Sequence, residues 1–227
     1  MDVRMRVSTA MVHLEHLFAA GIRFDTEIQY HVRNAGKRKY EKLPVRKSTL
    51  ARACTLTSVL QCVAILLQMP LKQAAQRLRH VIPTAGESID GDSLLRGICA
   101  FDEAIIAEPL PSTDAQNIGA ATLVALSAGH LCLLQLESSR FRRWATVIGV
   151  ELDRTRGDAR VLLLLDSGTS EPWACAHNVR IELQTAEGQA VHATSKYTLT
   201  CRDLWGGASA VRLHGLIVLK RSAPAGP

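Results

Sequence analysis

A chain of 227 residues, 47% apolar and 21% charged, is long enough to bury a core as one domain and too rich in aliphatic side chains for wholesale disorder. Its 27 lysines and arginines against 21 acidic residues leave a net charge of +6, concentrated between Arg33 and Lys47, where seven basic residues accompany the single acid Glu41. No apolar run approaches the roughly 20 residues of a membrane-spanning helix, and His13, Glu15 and His16 fall where a secretory signal would need an unbroken apolar stretch. The expectation is a soluble, cytoplasmic protein. Six scattered cysteines with no CxxC pair and no clustering with histidine argue against a zinc site or a disulfide framework. A glycine-rich phosphate loop is also missing, so no cofactor is expected.

Residues 1–48 read as an N-terminal extension. It combines a short amphipathic helix carrying Met11, Leu14, Leu17 and Phe18 with the basic stretch and Pro44. From Thr49 the pattern sharpens: Leu56, Val59, Leu60, Val63, Ala64 and Leu67 recur at three- and four-residue spacing, the stripe of a buried helix ending at Pro70. A second helix runs from Leu71 to about His80, and a third opens in SIDGDSLLRGICAFD with Asp92 or Ser93 available as a cap. A fourth covers Asp114 to Ser127 and stops before Gly129.

Strands follow. HLCLLQL (130–136), WATVIGVEL (144–152) and RVLLLLD (160–166) are short apolar runs rich in branched residues. NVRIELQ (178–184), the region of Val191 to Leu199, and HGLIVLK (214–220) continue them. Helices first and antiparallel strands after predict an α+β domain over 49–221, with 222–227 as a flexible tail.

The residue with the clearest chemical potential is Cys54, expected at the start of the long buried helix. A helix N-terminus presents unpaired N–H groups and a positive partial charge, and both favour thiolate over thiol. A nucleophilic cysteine also needs a base to take its proton, and a further group to orient that base.

With the helix of CTLTSVLQCVAILLQMPLKQAAQRL, the DGDSLLRGICAFDE segment, the strand GHLCLLQL, then RWATVIGVE and LLLLDSG, the chain resembles a known family over about residues 48–167. This is the papain-like cysteine peptidases that remove double-glycine leader peptides from bacteriocins, often as the N-terminal domain of peptide ABC exporters. The resemblance implies a papain-like fold, with N-terminal helices packed on an antiparallel β-sheet, and a groove for a leader peptide. It assigns the nucleophile to Cys54 and the base-orienting aspartate to Asp166. The position of the catalytic histidine, immediately before the aromatic Trp144, holds Arg143. That of the oxyanion glutamine, six residues before the cysteine, holds Ser48, and Thr55 replaces the glycine that usually follows the cysteine.

An arginine stays protonated at neutral pH, so it neither takes a proton from a thiol nor returns one to a departing amine. The expected function is therefore a peptidase-like domain that binds a peptide or protein partner with catalysis impaired. Two other readings stand beside it: an active cysteine peptidase using Cys54 with a displaced histidine, His130 or His177, and a binder of nucleic acid or an anionic surface through residues 33–47. Each residue also has a plain structural reading. Cys54 can pack as a small apolar group, Asp166 can open a turn with Ser167 and Gly168, and Arg143 can be a solvated charge in the run SSRFRRW.

Overall fold

The computed structural model describes residues 9–13, 22–24, 31–34, 40–42, 50–67, 69, 71–78, 91–153, 156–166, 168–169, 177–183, 199–204 and 206–222. Ahead of the helices, β1 (Thr9–His13), β2 (Ile22–Phe24), β3 (His31–Asn34) and β4 (Tyr40–Lys42) are short strands. Three of them form a separate sheet in the order β2-β3-β4, whereas β1 pairs with a strand of the main sheet. Met11, expected on a helix, lies in β1; Leu14, Leu17 and Phe18 fall outside the described residues.

The four predicted helices are present as α1 (Leu50–Leu66), α2 (Leu71–Leu78), α3 (Gly91–Phe101) and α4 (Ala115–Ser127). Local chemistry fixes the ends of α4. The Asp114 carboxylate accepts from the amide of Asn117 at 2.8 Å, a standard N-cap. Past the C-terminus, Gly129 takes φ 75°, a left-handed conformation in which its amide reaches back to the carbonyl of Leu126.

The strands after α3 are β5 (Ile105–Leu110), β6 (Leu131–Glu137), β7 (Arg142–Asp153), β8 (Ala159–Leu165), β9 (Val179–Glu182), β10 (Leu199–Asp203) and β11 (Ala208–Arg221). From β6 to β11 each strand pairs antiparallel with the next, and β11 pairs with β6. Six strands thus close into an antiparallel barrel. An even number permits this, since the first and last strands then run in opposite directions at the seam. Closure leaves no unpaired edge in the ring. Outside it, β1 lies against β7 over Thr9↔Asp153 to His13↔Gly149, and β5 lies against the end of β11. Pro109 sits in β5, where an outer strand tolerates the missing amide hydrogen.

This architecture overturns the expected fold class. The domain is mostly sheet built on a closed barrel, not an α+β papain-like fold with N-terminal helices on a sheet. Helices cover only part of the barrel wall. The contacts of α1 and α4 with the barrel fall on β6, β7, β8 and β11, and β6 and β7 beneath them are buried on both faces. In β6, residues 131–136 are all buried, and in β7 residues 143–150 are. Over residues 199–202 of β10 and 211–214 of β11, buried and less buried positions alternate, as they must when one face looks into the barrel and the other toward solvent.

The long helix α1 is buried on more than its apolar stripe. Val59, Leu60, Val63 and Ala64 belong to the core as expected, but Thr55, Thr57, Ser58 and Gln61 are buried as well. Some of these polar groups tie α1 to β7. The hydroxyl of Ser58 donates to the carbonyl of Trp144 at 3.0 Å, the amide of Trp144 donates to Oγ1 of Thr55 at 3.4 Å, and the hydroxyl of Thr146 donates to the carbonyl of Ser58 at 3.3 Å. The helix is thus held by hydrogen bonds that a purely apolar stripe could not supply, which fixes its rotation against the barrel. Among the described residues no helix is long and apolar enough to cross a membrane.

Candidate functional site

Two of the residues singled out by the resemblance, Arg143 and Asp166, meet at one end of the barrel. Arg143 is the second residue of β7, and Asp166 is the first residue after β8. These strands run antiparallel with Thr146 opposite Leu165, so the start of β7 lies beside the end of β8. Nη2 of Arg143 is 2.5 Å from Oδ2 of Asp166, and both residues are buried: Arg143 is 7% exposed and Asp166 0%. The plain reading of Arg143 as a solvated charge is therefore wrong. Its guanidinium carbon also stands 3.8 Å from the centre of the Phe141 ring, two residues back along the chain just before β7, a cation–π contact.

Asp166 is gripped on every polar atom. Its Oδ1 accepts from the amide of Gly168 at 2.9 Å. Its amide donates to Oδ1 of Asn178, and its carbonyl accepts from Nδ2 of the same side chain, both at 2.7 Å. Asn178 so extends the β8–β9 ladder by one step with its side chain, and its own amide donates to the carbonyl of Leu164 at 3.0 Å. The hydroxyl of Thr169 closes the turn on the Asp166 carbonyl at 3.0 Å. Asp166 thus does open a turn with Gly168, but the turn serves to aim its carboxylate at Arg143. Gly168 is required by space: a β-carbon there would run into the guanidinium.

Arg143 keeps one polar atom unanswered. Its Nε–H is buried and has no hydrogen-bond partner among the described residues, and neither has the indole Nε1–H of Trp144. Successive strand residues face opposite ways, so these two donors lie on different sides of β7. The thiol of Cys201, on β10, is pushed up to about 12, mainly by burial and then by the Asp166 carboxylate.

Cys54 is the fifth residue of α1, one turn inside the helix, not at its start. Its amide therefore lies beyond the first four unpaired N–H groups, and the thiolate-favouring field of a helix N-terminus is weaker there than the sequence suggested. The next residue, Thr55, carries the hydroxyl bonded to Trp144, so the chain brings position 54 to the strand segment that holds Arg143. Ser48 lies outside the described residues.

The two candidate replacement bases separate. The β6–β7 register sets Leu136 opposite Arg143, whereas His130 precedes Leu131 at the other end of β6. Six residues of strand put on the order of 20 Å between them, which removes His130 as a partner for this site. His177, buried at 8% exposure, precedes Asn178 and so belongs to the same end as Asp166. Sequence reasoning missed Asn178 and Phe141, and saw Gly168 only as a turn residue. The only available signals were an asparagine directly before a strand, an aromatic two residues before the arginine, and a glycine two residues after the aspartate.

Of the other cysteines, Cys62 and Cys132 are buried and Cys99 is exposed. Burial pushes the Cys62 thiol up to about 12 despite its contact with the Thr146 hydroxyl, and raises Cys132 as well. Treating the native protein with a thiol-directed alkylating agent should modify Cys99 and leave Cys62, Cys132 and Cys201 untouched until denaturant is added, as peptide mapping by mass spectrometry would show. Among the described residues no three histidine, cysteine or acidic side chains gather as a metal-binding group. No protein-family model matches the chain, and no curated protein matches its sequence.

Proposed function

We propose that this chain is a peptidase-like domain that binds a peptide or protein partner and does not hydrolyse it. One observation carries the reading: Arg143, at the position that the resemblance gives to a proton-accepting imidazole, is locked on Asp166 in a buried ion pair. An aspartate that orients a base in an active peptidase here orients a permanent cation. A cation at this place can attract a thiolate or the carbonyl oxygen of a bound peptide, but it offers no lone pair for proton transfer. The docking of α1 on β7 through Thr55 and Ser58 supports the reading, since it sets the segment of Cys54 beside that of Arg143.

A mixture of unmodified synthetic peptides of varied sequence tests it. Incubated with the purified full-length protein, a subset should be retained with the protein on gel filtration, and mass spectrometry should find every peptide intact. Cleavage that disappears in Cys54→Ala would overturn the proposal in favour of an active peptidase. Failure to retain any peptide would overturn its binding half.

A further inference from the structure

The pairing of β11 with β6 skips a residue between Leu213 and Gly215, which makes His214 a bulge residue. The bulge sits where β11 passes from pairing with β10, which ends at Val211, to pairing with β5, which begins at Leu216. Three side chains meet there. Nε of Arg212 donates to Nε2 of His214 at 2.8 Å, Nη2 of Arg212 donates to Oε2 of Glu137 at 3.0 Å, and that same Oε2 lies in hydrogen-bond contact with that same Nε2. From β7, Arg142 stands opposite Glu137 and donates to Oε1 of Gln135 at 3.4 Å.

One imidazole nitrogen cannot satisfy both neighbours. The guanidinium is always a donor, so it requires Nε2 to carry a lone pair and the ring hydrogen to sit on Nδ1. The carboxylate is an acceptor, so it requires Nε2–H. We propose that Arg212, His214 and Glu137 form a proton-operated clasp on the β11 bulge, in which Arg212 holds the neutral imidazole and yields it to Glu137 when the ring takes up a proton.

The exchange consumes one proton from solvent and makes no other covalent change. Once protonated, His214 donates Nε2–H to Glu137, while Nε–H of Arg212 loses its acceptor and faces a like charge. Arg212, whose side chain is 34% exposed, then turns toward water. Burial holds His214 below its ordinary value, the cations Arg212 and Arg142 act in the same direction, and Glu137 opposes them. Arg212 therefore keeps the ring at neutral pH, and the exchange runs as the pH falls below about 6.5. Because the folded form binds this proton less readily than the unfolded chain, the clasp's contribution to stability is complete above that pH and is lost as the pH falls through the folded value.

Following the imidazole ¹⁵N shifts of His214 and the Nε–H resonance of Arg212 in the full-length protein from about pH 8 to about pH 5 tests this. The clasp requires the Nδ1–H tautomer at the alkaline end, a midpoint below about 6.5, and an Arg212 resonance that moves with the same midpoint. Arg212→Gln should raise the midpoint by removing a cation, and Glu137→Gln should lower it by removing the anion that favours the imidazolium. An Nε2–H tautomer at the alkaline end, or an Arg212 resonance indifferent to the titration of His214, would overturn the clasp. Both readings come from the wild-type protein, so they stand even if a variant fails to fold.

Discussion

Replacing Asp166 with alanine is expected to lower the unfolding free energy by about 3–5 kcal/mol, the cost of stranding a buried cation. Arg143 is 7% exposed and its Nε–H already lacks a partner among the described residues, so the Asp166 carboxylate is the one anion paired with its charge there. The amide of Gly168 would lose its acceptor in the same step. Urea unfolding of wild type and Asp166→Ala measures the effect directly. Replacing both members, as in Arg143→Met with Asp166→Leu, should give a protein within about 2 kcal/mol of wild type or more stable, because no uncompensated charge remains and apolar groups suit the site. That contrast separates two explanations of the pair. If the double variant is as stable as wild type while Asp166→Ala is not, the charges are dispensable for folding, and the reason for keeping them lies in what Arg143 can touch.

The helices were legible because each rests on a local pattern. Apolar spacing marks α1, Asp114 marks the start of α4, and Gly129 marks its end. The central strands β6, β7 and β8 were legible as continuous apolar runs, since helices cover one face and the barrel interior the other. Closure was not legible. It depends on β11 finding β6 across more than seventy residues, as in Leu219↔Leu131, and on β7 accepting β8 along its other edge, and no local pattern encodes either pairing. An apolar strand looks the same in an open sheet and in a barrel, which is why the run of helices followed by strands pointed to the wrong fold class. β5 escaped notice because Pro109 reads as a strand breaker, yet its position outside the ring removes the objection.

At the site, the pairing of positions 143 and 166 was legible only through the resemblance, and its burial was not legible at all. In SSRFRRW the arginines look equivalent. The alternation of the strand sends Arg143 into the barrel end and leaves Arg142 exposed, so one residue of register decides which is a solvated charge and which a buried cation. The cysteine was placed too close to the helix end because the apolar stripe begins only at Leu56, although Leu50 to Ala53 are themselves strong helix formers and extend the helix by one turn.

Arg143→His should raise Cys54-dependent hydrolysis of a peptide amide by roughly 100-fold or more over wild type, the usual scale of a general base. This gain rests on the proposed function. With arginine at position 143, the thiol has no group to take its proton and the departing amine has none to supply one. An imidazole held by the Asp166 carboxylate would provide both, with one nitrogen oriented toward the carboxylate and the other available for transfer. The gain should appear as the pH rises through about 6.5, where the new histidine loses its proton, and should vanish in the Cys54→Ala background. Steady-state hydrolysis of a peptide retained by the wild-type protein is the appropriate measurement, with circular dichroism to confirm that the variant is folded. The histidine is shorter than the arginine it replaces and gives up the contact with Phe141, so some stability is lost even where activity is gained. A folded Arg143→His protein that still binds peptide and shows no turnover would mean that Cys54 does not reach position 143. The partner-binding reading would then stand without its descent from a peptidase site.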